Sequence, residues 1–319
     1  MAGTSGLRAA RERPRTPGRP GFTVMELLVT TVVAVVILAA LYLLLERNVI
    51  LYGQGEAKAD VQQGVRVVVD DMTTNLRAAG NGVPRGTSGT GALYILYNGI
   101  TVGGEPLVTG ANAVTFLGDI DGTAAELAGP PTGARTGDTS VSIANAGVTQ
   151  DYRDYSVSLT GGRNTVVVSS TGILGGSPFG TWAFGQYTGP PGLQGALPVA
   201  ALSTPSGAAA TFLPGCGVAA LEVVKYSLQG TNLVRRIGLY GGQATATNPT
   251  IAWGPAETLL DNVVSLRFTY FDANNAVVAS VPAPGDQGSI RRIRVVLQVR
   301  TGKGLPDATH SVDVRLRTL

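Results

Sequence analysis

The sequence predicts an α+β protein with one long N-terminal helix, transmembrane and then amphipathic, followed by a largely antiparallel β-sheet head. An apolar run from Phe22 to Leu45 indicates the membrane-spanning half. A second apolar series, spaced by three and four residues, continues the helix to residue 79. Beyond residue 80, period-two alternation indicates strands with one solvated face.

The positive charge of the chain belongs to its first 21 residues. These residues carry one glutamate and five arginines (Arg8, Arg11, Arg13, Arg15 and Arg19). Without them the net charge of +3 becomes −1, from 19 basic and 20 acidic residues. The remainder therefore offers no overall electrostatic reason to expect a nucleic-acid partner.

The apolar run has the length of a membrane span. Its 24 residues, Phe22 to Leu45, extend over the roughly 30 Å hydrocarbon core at about 1.5 Å per residue. Because the arginines lie on its N-terminal side, the positive-inside rule places the N-terminus in the cytoplasm. We expect an inner-membrane protein with a single span whose head is periplasmic or outside the cell.

Three simpler signals explain the run less well. A secretory signal peptide needs a shorter apolar core and a small-x-small site directly after it, whereas Ala57-Lys58-Ala59 comes roughly twelve residues too late. A lipoprotein signal needs a cysteine at the end of the run, and the single cysteine is Cys216. A plain signal anchor accounts for the run but leaves Glu26 unexplained.

Glu26 is a carboxylate five residues into the apolar run. A charge at mid-membrane costs roughly 2.5–3.5 kcal/mol on insertion scales, so such residues usually have a partner. The start of the helix lies within about 6–8 Å and favours an anion. A neighbouring chain, shifted along its axis, would bring a free N-terminal amine to Glu26.

The stretch Gly21-Phe22-Thr23-Val24-Met25-Glu26 resembles the class III signal of type IV prepilins and type II secretion pseudopilins. The resemblance implies that prepilin peptidase cuts between Gly21 and Phe22 and methylates the Phe22 amine. It also implies that Glu26 pairs with the N-terminus of an adjacent subunit during assembly, and that the fold is type IV pilin-like.

The resulting domain organisation has three parts. Residues 1–21 are a basic leader that is removed. Residues 22–79 form the helix, with 22–45 transmembrane and 46–79 amphipathic, and residues 80–319 form the globular head. The apolar face of the second half is predicted from its spacing: Val61, Val65, Val68, Met72, Leu76 and Ala79. Two helices with a break near Gly53-Gln54-Gly55 remain an alternative.

Alternating patterns predict the strands of the head. The clearest lie at 263–271, 291–300 and 311–317, with a hairpin of 221–228 and 233–240. In the first, Val264, Leu266, Phe268 and Tyr270 are predicted to share one face. Weaker patterns occur at 93–97, 113–117, 139–143, 154–159 and 165–169, and the Gly/Pro-rich ranges 122–138 and 188–215 are interpreted as surface loops or insertions. The head is expected to contain two β subregions that divide near residue 216.

Catalytic chemistry is sparse in this sequence. The only histidine is His310, so a triad or multi-histidine metal site is not expected. Asp119 and Asp121 are weak candidates for calcium, but the further ligands of a calcium loop are missing and an Asp-Gly turn is the simpler interpretation. We therefore expect no enzyme activity, cofactor, metal or small-molecule substrate.

Arginines cluster near the C-terminus as a candidate basic patch: Arg291, Arg292, Arg294, Arg315 and Arg317. Without interleaved aromatic residues, nucleic-acid binding is not expected.

Segments of the C-terminal third are similar to the branch of PilW-type minor pilins and J-type pseudopilins. They are 221–228 with 233–236, 260–268 and 290–295, together with 76–80 at the helix end. The similarity implies a minor pilin that joins other minor and major pilins in a priming or tip complex. A J-type component of type II secretion is the main alternative, and an anchored binding or adhesive protein that never assembles is a third.

Overall fold

The computed structural model describes residues 21, 23–84, 95–120, 122, 125–128, 133–144, 165–169, 182–188, 195–204, 207–245, 248–278, 289–302 and 306–316. The predicted leader residues 1–20, and also Phe22, lie outside the described residues. The chain divides into two units, Met1–Glu56 and Ala57–Leu319.

One helix, α1, extends over Val24–Ala78. It remains helical through Gly53-Gln54-Gly55, so the alternative of two separate helices is wrong. Its end is set by the glycines that follow, because Gly80 and Gly82 adopt φ values of 80° and 66°, which side chains with a Cβ disfavour. The Gly80 amide leaves the helical pattern and donates to the Leu117 carbonyl of the head.

The described part of the head contains short and long strands. They are β1 Ile100–Val102, β2 Glu105–Leu107, β3 Ala113–Gly118, β4 Ala125–Glu126, β5 Ala134–Arg135, β6 Ser140–Ser142, β7 Thr165–Ser169, β8 Trp182–Gln186, β9 Ala196–Pro198, β10 Thr211–Phe212, β11 Gly217–Ala220, β12 Glu222–Gln229, β13 Asn232–Thr245, β14 Asn248–Leu260, β15 Val263–Phe271, β16 Arg292–Val299 and β17 Ala308–Arg315. Every pairing between these strands is antiparallel. A long apolar helix followed by antiparallel sheets confirms the α+β prediction.

The first β subregion packs on the second half of α1. It consists of a four-stranded sheet in the order β14-β13-β12-β3 and a three-stranded sheet in the order β15-β16-β17. The predicted apolar face of the helix is confirmed, since Val61 is half-buried against this core and five residues are buried in it: Val65, Val68, Met72, Leu76 and Ala79. Burial of this face, rather than helix propensity, holds the segment in place.

The hairpin of β12 and β13 is confirmed with a two-residue turn. Gln229 pairs with Asn232, so Gly230 and Thr231 form the turn. Gly230 has a φ of 62° at the first turn position, as a type II′ turn requires. This turn matches the twist of the strands and sets their register.

The alternation predicted for 263–271 is wrong at its first position. Val264 is 39% exposed, whereas Val263 is buried, and from Leu266 onward the predicted face is buried. A β-bulge between Val263 and Ser265 in the pairing with β16 inserts an extra residue and reverses the facing before it. In β16 the predicted alternation is confirmed throughout.

The second β subregion includes the sheet β4-β11-β7-β8 and the pairs β6-β9 and β5-β10. The predicted division near residue 216 is wrong, because β3 pairs with β12 and β11 pairs with β7 across it. Its core contains residues from both ranges interpreted as surface loops: Leu127, Ala134, Leu197, Val199, Leu202 and Phe212. The interpretation as surface loops is therefore wrong for the described parts of 122–138 and 188–215, and the alternative that they are insertions stays a prediction. Strands of two or three residues are too short to show a period. The strand predicted at 154–159 lies outside the described residues.

Candidate functional site: the N-terminal helix

The first half of α1 presents apolar side chains on all sides. From Val24 to Tyr52 its large apolar residues are at least 50% exposed, with Val24 at 83% and Tyr52 at 78%. This stretch is long and apolar enough to cross a membrane, and no residue of its most apolar part is buried. A soluble core helix would be covered, so the surface fits a membrane anchor or a signal sequence.

Thr23 caps the start of this helix. The Glu26 amide donates to Thr23 Oγ1 at 3.3 Å and to the Thr23 carbonyl at 3.0 Å. Thr23-x-x-Glu26 has the spacing of a capping box, whose threonine half is formed here. This capping role was not predicted from the sequence, because the same residues belong to the processing motif. The pattern Thr-x-x-Glu directly before an apolar run is the signal that could have predicted it.

The hydroxyls of Thr30 and Thr31, within the apolar segment, are satisfied by the helix itself. Thr30 Oγ1 donates to the Glu26 carbonyl at 2.8 Å, and Thr31 Oγ1 donates to the Leu27 carbonyl at 2.7 Å. Such bonds make threonine tolerable in a hydrocarbon environment.

Glu26 is the only charged residue between Val24 and Leu45. Within the described residues its carboxylate has no hydrogen bond or ion pair. It lies in the first turn, where the helix dipole favours an anion. Gly21 is exposed, and the predicted cut site cannot be placed further because Phe22 lies outside the described residues.

The second half of α1 joins the head through a polar network beside its apolar face. Asp71 binds the Arg235 guanidinium at 2.6 Å and accepts a hydrogen bond from the Tyr226 hydroxyl at 2.8 Å. Asn75 Nδ2 donates to the Tyr226 oxygen at 2.7 Å. Arg235 also contacts Glu257 at 2.6 Å. Helix, β12, β13 and β14 are thereby connected.

The electrostatics of the network keep each member in its bonding form. Burial and then the Asp71 charge raise the pKa of Tyr226 well above its usual range, so the phenol keeps its donor proton. Burial opposes the charged form of Arg235, but the Glu257 hydrogen bond and the Asp71 charge outweigh burial and raise the pKa of Arg235. These residues hold the helix in the head rather than perform chemistry.

Of the two weak metal candidates, Asp119 and Asp121, the structure describes only Asp119. Asp119 is 1% exposed after β3, where its amide donates to the Asn81 carbonyl and its carbonyl accepts from Asn81 Nδ2. Asp121 lies outside the described residues. Among the residues that the structure describes, no group of three His, Cys, Asp or Glu side chains could hold a metal ion.

The arginine cluster is partly neutralised. Arg292 and Arg294 both bind Asp313, and the Arg294 hydrogen bond lowers the pKa of that carboxyl. Arg317 lies outside the described residues. His310 lies half-buried on the edge strand β17, opposite Leu297 of β16.

A comparison with protein-family models and with curated proteins gives no match.

Proposed function

We propose that this chain is a minor type IV pilin of the PilW type. The observation that carries the proposal is the position of Glu26. This single carboxylate lies in the first turn of an exposed apolar helix, directly behind Gly21-Phe22-Thr23, and among the described residues it has no hydrogen bond or ion pair. A plain anchor does not require a carboxylate there, because a charge in the membrane costs roughly 2.5–3.5 kcal/mol and the helix dipole offsets only about 0.3–1 kcal/mol of it.

The proposed mechanism uses the apolar surface twice. Before assembly, Val24–Leu45 lies in inner-membrane lipid with the head in the periplasm. Prepilin peptidase then cuts after Gly21 and methylates Phe22, and the helix moves among the helices of other minor and major pilins. Since lipid and helix surfaces are similarly apolar, extraction costs little, and pairing of Glu26 with a neighbour's Phe22 amine selects the register.

The first test is the N-terminus of the protein extracted from membranes. Intact mass and N-terminal sequencing, with and without prepilin peptidase, are expected to give N-methyl-Phe22 only when the peptidase is present. A chain that keeps residues 1–21 with the peptidase present, or that is cut near Ala59, refutes the proposal and leaves an anchored or secreted β-rich protein.

The second test separates assembly from helix capping. Glu26→Gln removes the charge, and we expect incorporation into sheared surface fibres to fall roughly tenfold or more, as for loss of a charged hydrogen bond. Thr23→Ala removes the observed cap but keeps the charge. Because Thr23 also belongs to the processing motif, incorporation is compared only among chains that are cut after Gly21, and there it should change little. Equal defects in the two variants would indicate that Glu26 acts only on the helix start. A fibre confined to the periplasm would favour the J-type pseudopilin.

A further inference from the structure

A basic cleft of about 360 Å³ lies at the surface of the head. We name it the Arg315 cleft. Its lining residues come from the last turn of α1, the loop after β15, and strands β16 and β17: Arg77, Asn275, Arg292, Asp313 and Arg315. The antiparallel pairing places Arg292 directly opposite Arg315, and Arg294 opposite Asp313.

The cleft has more positive charge than its own residues neutralise. Among the described residues that line it, Asp313 is the one carboxylate and is shared by Arg292 and Arg294. Arg77 and Arg315 are exposed, and within the described residues neither side chain has a hydrogen bond or an ion pair. The helix C-terminus favours a cation at Arg77, but nothing comparable explains Arg315.

Arg292 also has an unsatisfied hydrogen-bond donor. Its Nε is buried and has no hydrogen-bond acceptor in the described structure. Buried donors are nearly always satisfied in folded proteins, so this N–H is an exception in a side chain that also lines the cleft. The groups that the cleft offers to a ligand are the two exposed guanidinium groups of Arg77 and Arg315.

The aromatic ring beside the cleft is already covered. The guanidinium of Arg292 lies 4.0 Å from the Phe271 ring centroid and that of Arg294 lies 5.3 Å from it. Single-stranded nucleic acids gain much of their affinity by stacking bases on exposed aromatic rings. Because Phe271 is not available for stacking, the chemistry favours an isolated carboxylate over a nucleic-acid strand.

We propose that the Arg315 cleft binds a carboxylate on an acidic segment of a partner protein. Asp313 shows the mode of recognition, since one carboxylate there accepts from both Arg292 and Arg294. The incoming carboxylate would be held by the two remaining guanidinium groups, Arg77 and Arg315, through charge-assisted hydrogen bonds. This interaction surface is independent of the processing motif and of Glu26.

The test measures binding of a fluorescent glutamate-rich peptide to the full chain in detergent micelles. A matched peptide with glutamine at each glutamate reports interactions that need no charge. We expect the acidic peptide to bind more tightly, with binding that weakens as salt rises. Arg315→Gln and Arg77→Gln should each raise its Kd roughly tenfold.

Arg300→Gln is the matched control. Arg300 is exposed and directly follows the eight-residue strand β16, about 26 Å from Arg292 at its other end. Arg300→Gln removes the same charge as Arg77→Gln and Arg315→Gln. If net charge alone controlled binding, all three substitutions would therefore weaken binding of the acidic peptide equally. Within the described residues, the side chains of Arg77 and Arg315 have no hydrogen bond or ion pair. Unfolding curves of the variants check that both can be replaced without loss of the fold.

Three outcomes would overturn the proposal. The acidic and neutral peptides bind equally, or Arg300→Gln weakens binding as much as Arg315→Gln, or a single-stranded oligonucleotide competes better than the acidic peptide. The last outcome would assign the cleft to phosphate groups. None of these results depends on cleavage after Gly21, so failure here leaves the proposed function intact.

Discussion

Removal of one hydroxyl from the polar network tests how α1 is held in the head. Tyr226 is fully buried on β12, and its hydroxyl joins two side chains of the helix. It donates to the Asp71 carboxylate at 2.8 Å and accepts from Asn75 Nδ2 at 2.7 Å. Tyr226→Phe deletes both bonds while it keeps the ring and its packing.

The expected loss of stability follows from these two bonds. A bond to a charged group contributes about 1.5–3 kcal/mol and a neutral one about 1 kcal/mol. Asn75 still has a long contact of 3.4 Å with Asp71, and Arg235 still neutralises that carboxylate. We therefore expect Tyr226→Phe to lower the free energy of unfolding by about 2–3 kcal/mol.

Tyr240→Phe is the matched control on the neighbouring strand. Tyr240 is also fully buried, but its hydroxyl has no hydrogen-bond partner in the described structure. Its removal relieves an unsatisfied polar group, so stability should stay the same or rise by up to about 1 kcal/mol.

Urea unfolding of the full chain in detergent provides the assay. The two tryptophans, Trp182 and Trp253, lie in the head and report its unfolding by fluorescence. Opposite or clearly unequal effects of the two substitutions support the network. Equal losses for Tyr226→Phe and Tyr240→Phe would refute the reasoning, since both would then measure only loss of the hydroxyl.

Two further predictions concern the head. Gly118→Ala should lower the free energy of unfolding by more than about 2 kcal/mol, because the new Cβ would clash with the backbone oxygen of Ala78. Gly110→Ala is the control: its new Cβ meets nothing within 4 Å, so the free energy of unfolding in the same urea assay should hardly change. Equal effects of the two substitutions would contradict this prediction. Burial alone would raise the pKa of Glu105, but Lys225 and Arg236 lower it below its ordinary 4.5. The ionised form therefore stabilises the fold above about pH 4.5, and this contribution is lost as pH falls through the lowered pKa. Glu105→Gln should reduce the free energy of unfolding at pH 7 and make it fall less steeply as the pH is lowered. If the free energy of unfolding falls with pH as steeply as in the unsubstituted protein, this account is excluded.

Local periodicity explains what the sequence predicted well. The buried face of α1 follows from apolar residues spaced three and four apart, and the alternation of β16 follows from apolar residues spaced two apart. Both spacings can be read directly from the sequence. The β12–β13 hairpin is local as well, because Gly230 sets its turn. The exposed apolar surface from Val24 to Tyr52 follows from composition alone, and the functional roles of Gly21, Phe22 and Glu26 remain predictions.

The sequence by itself determined the apolar span, the amphipathic continuation of the helix and the antiparallel character of the head, since each depends on near neighbours in the chain. Tertiary structure alone decided the rest. The bulge that buries Val263 instead of Val264 exists only in the pairing with β16. Tyr226 donates to Asp71 across 155 residues, and Arg77 lines the same cleft as Arg315, which lies 238 residues further along the chain. No local pattern records such contacts, because folding brings together residues whose spacing in sequence carries no period.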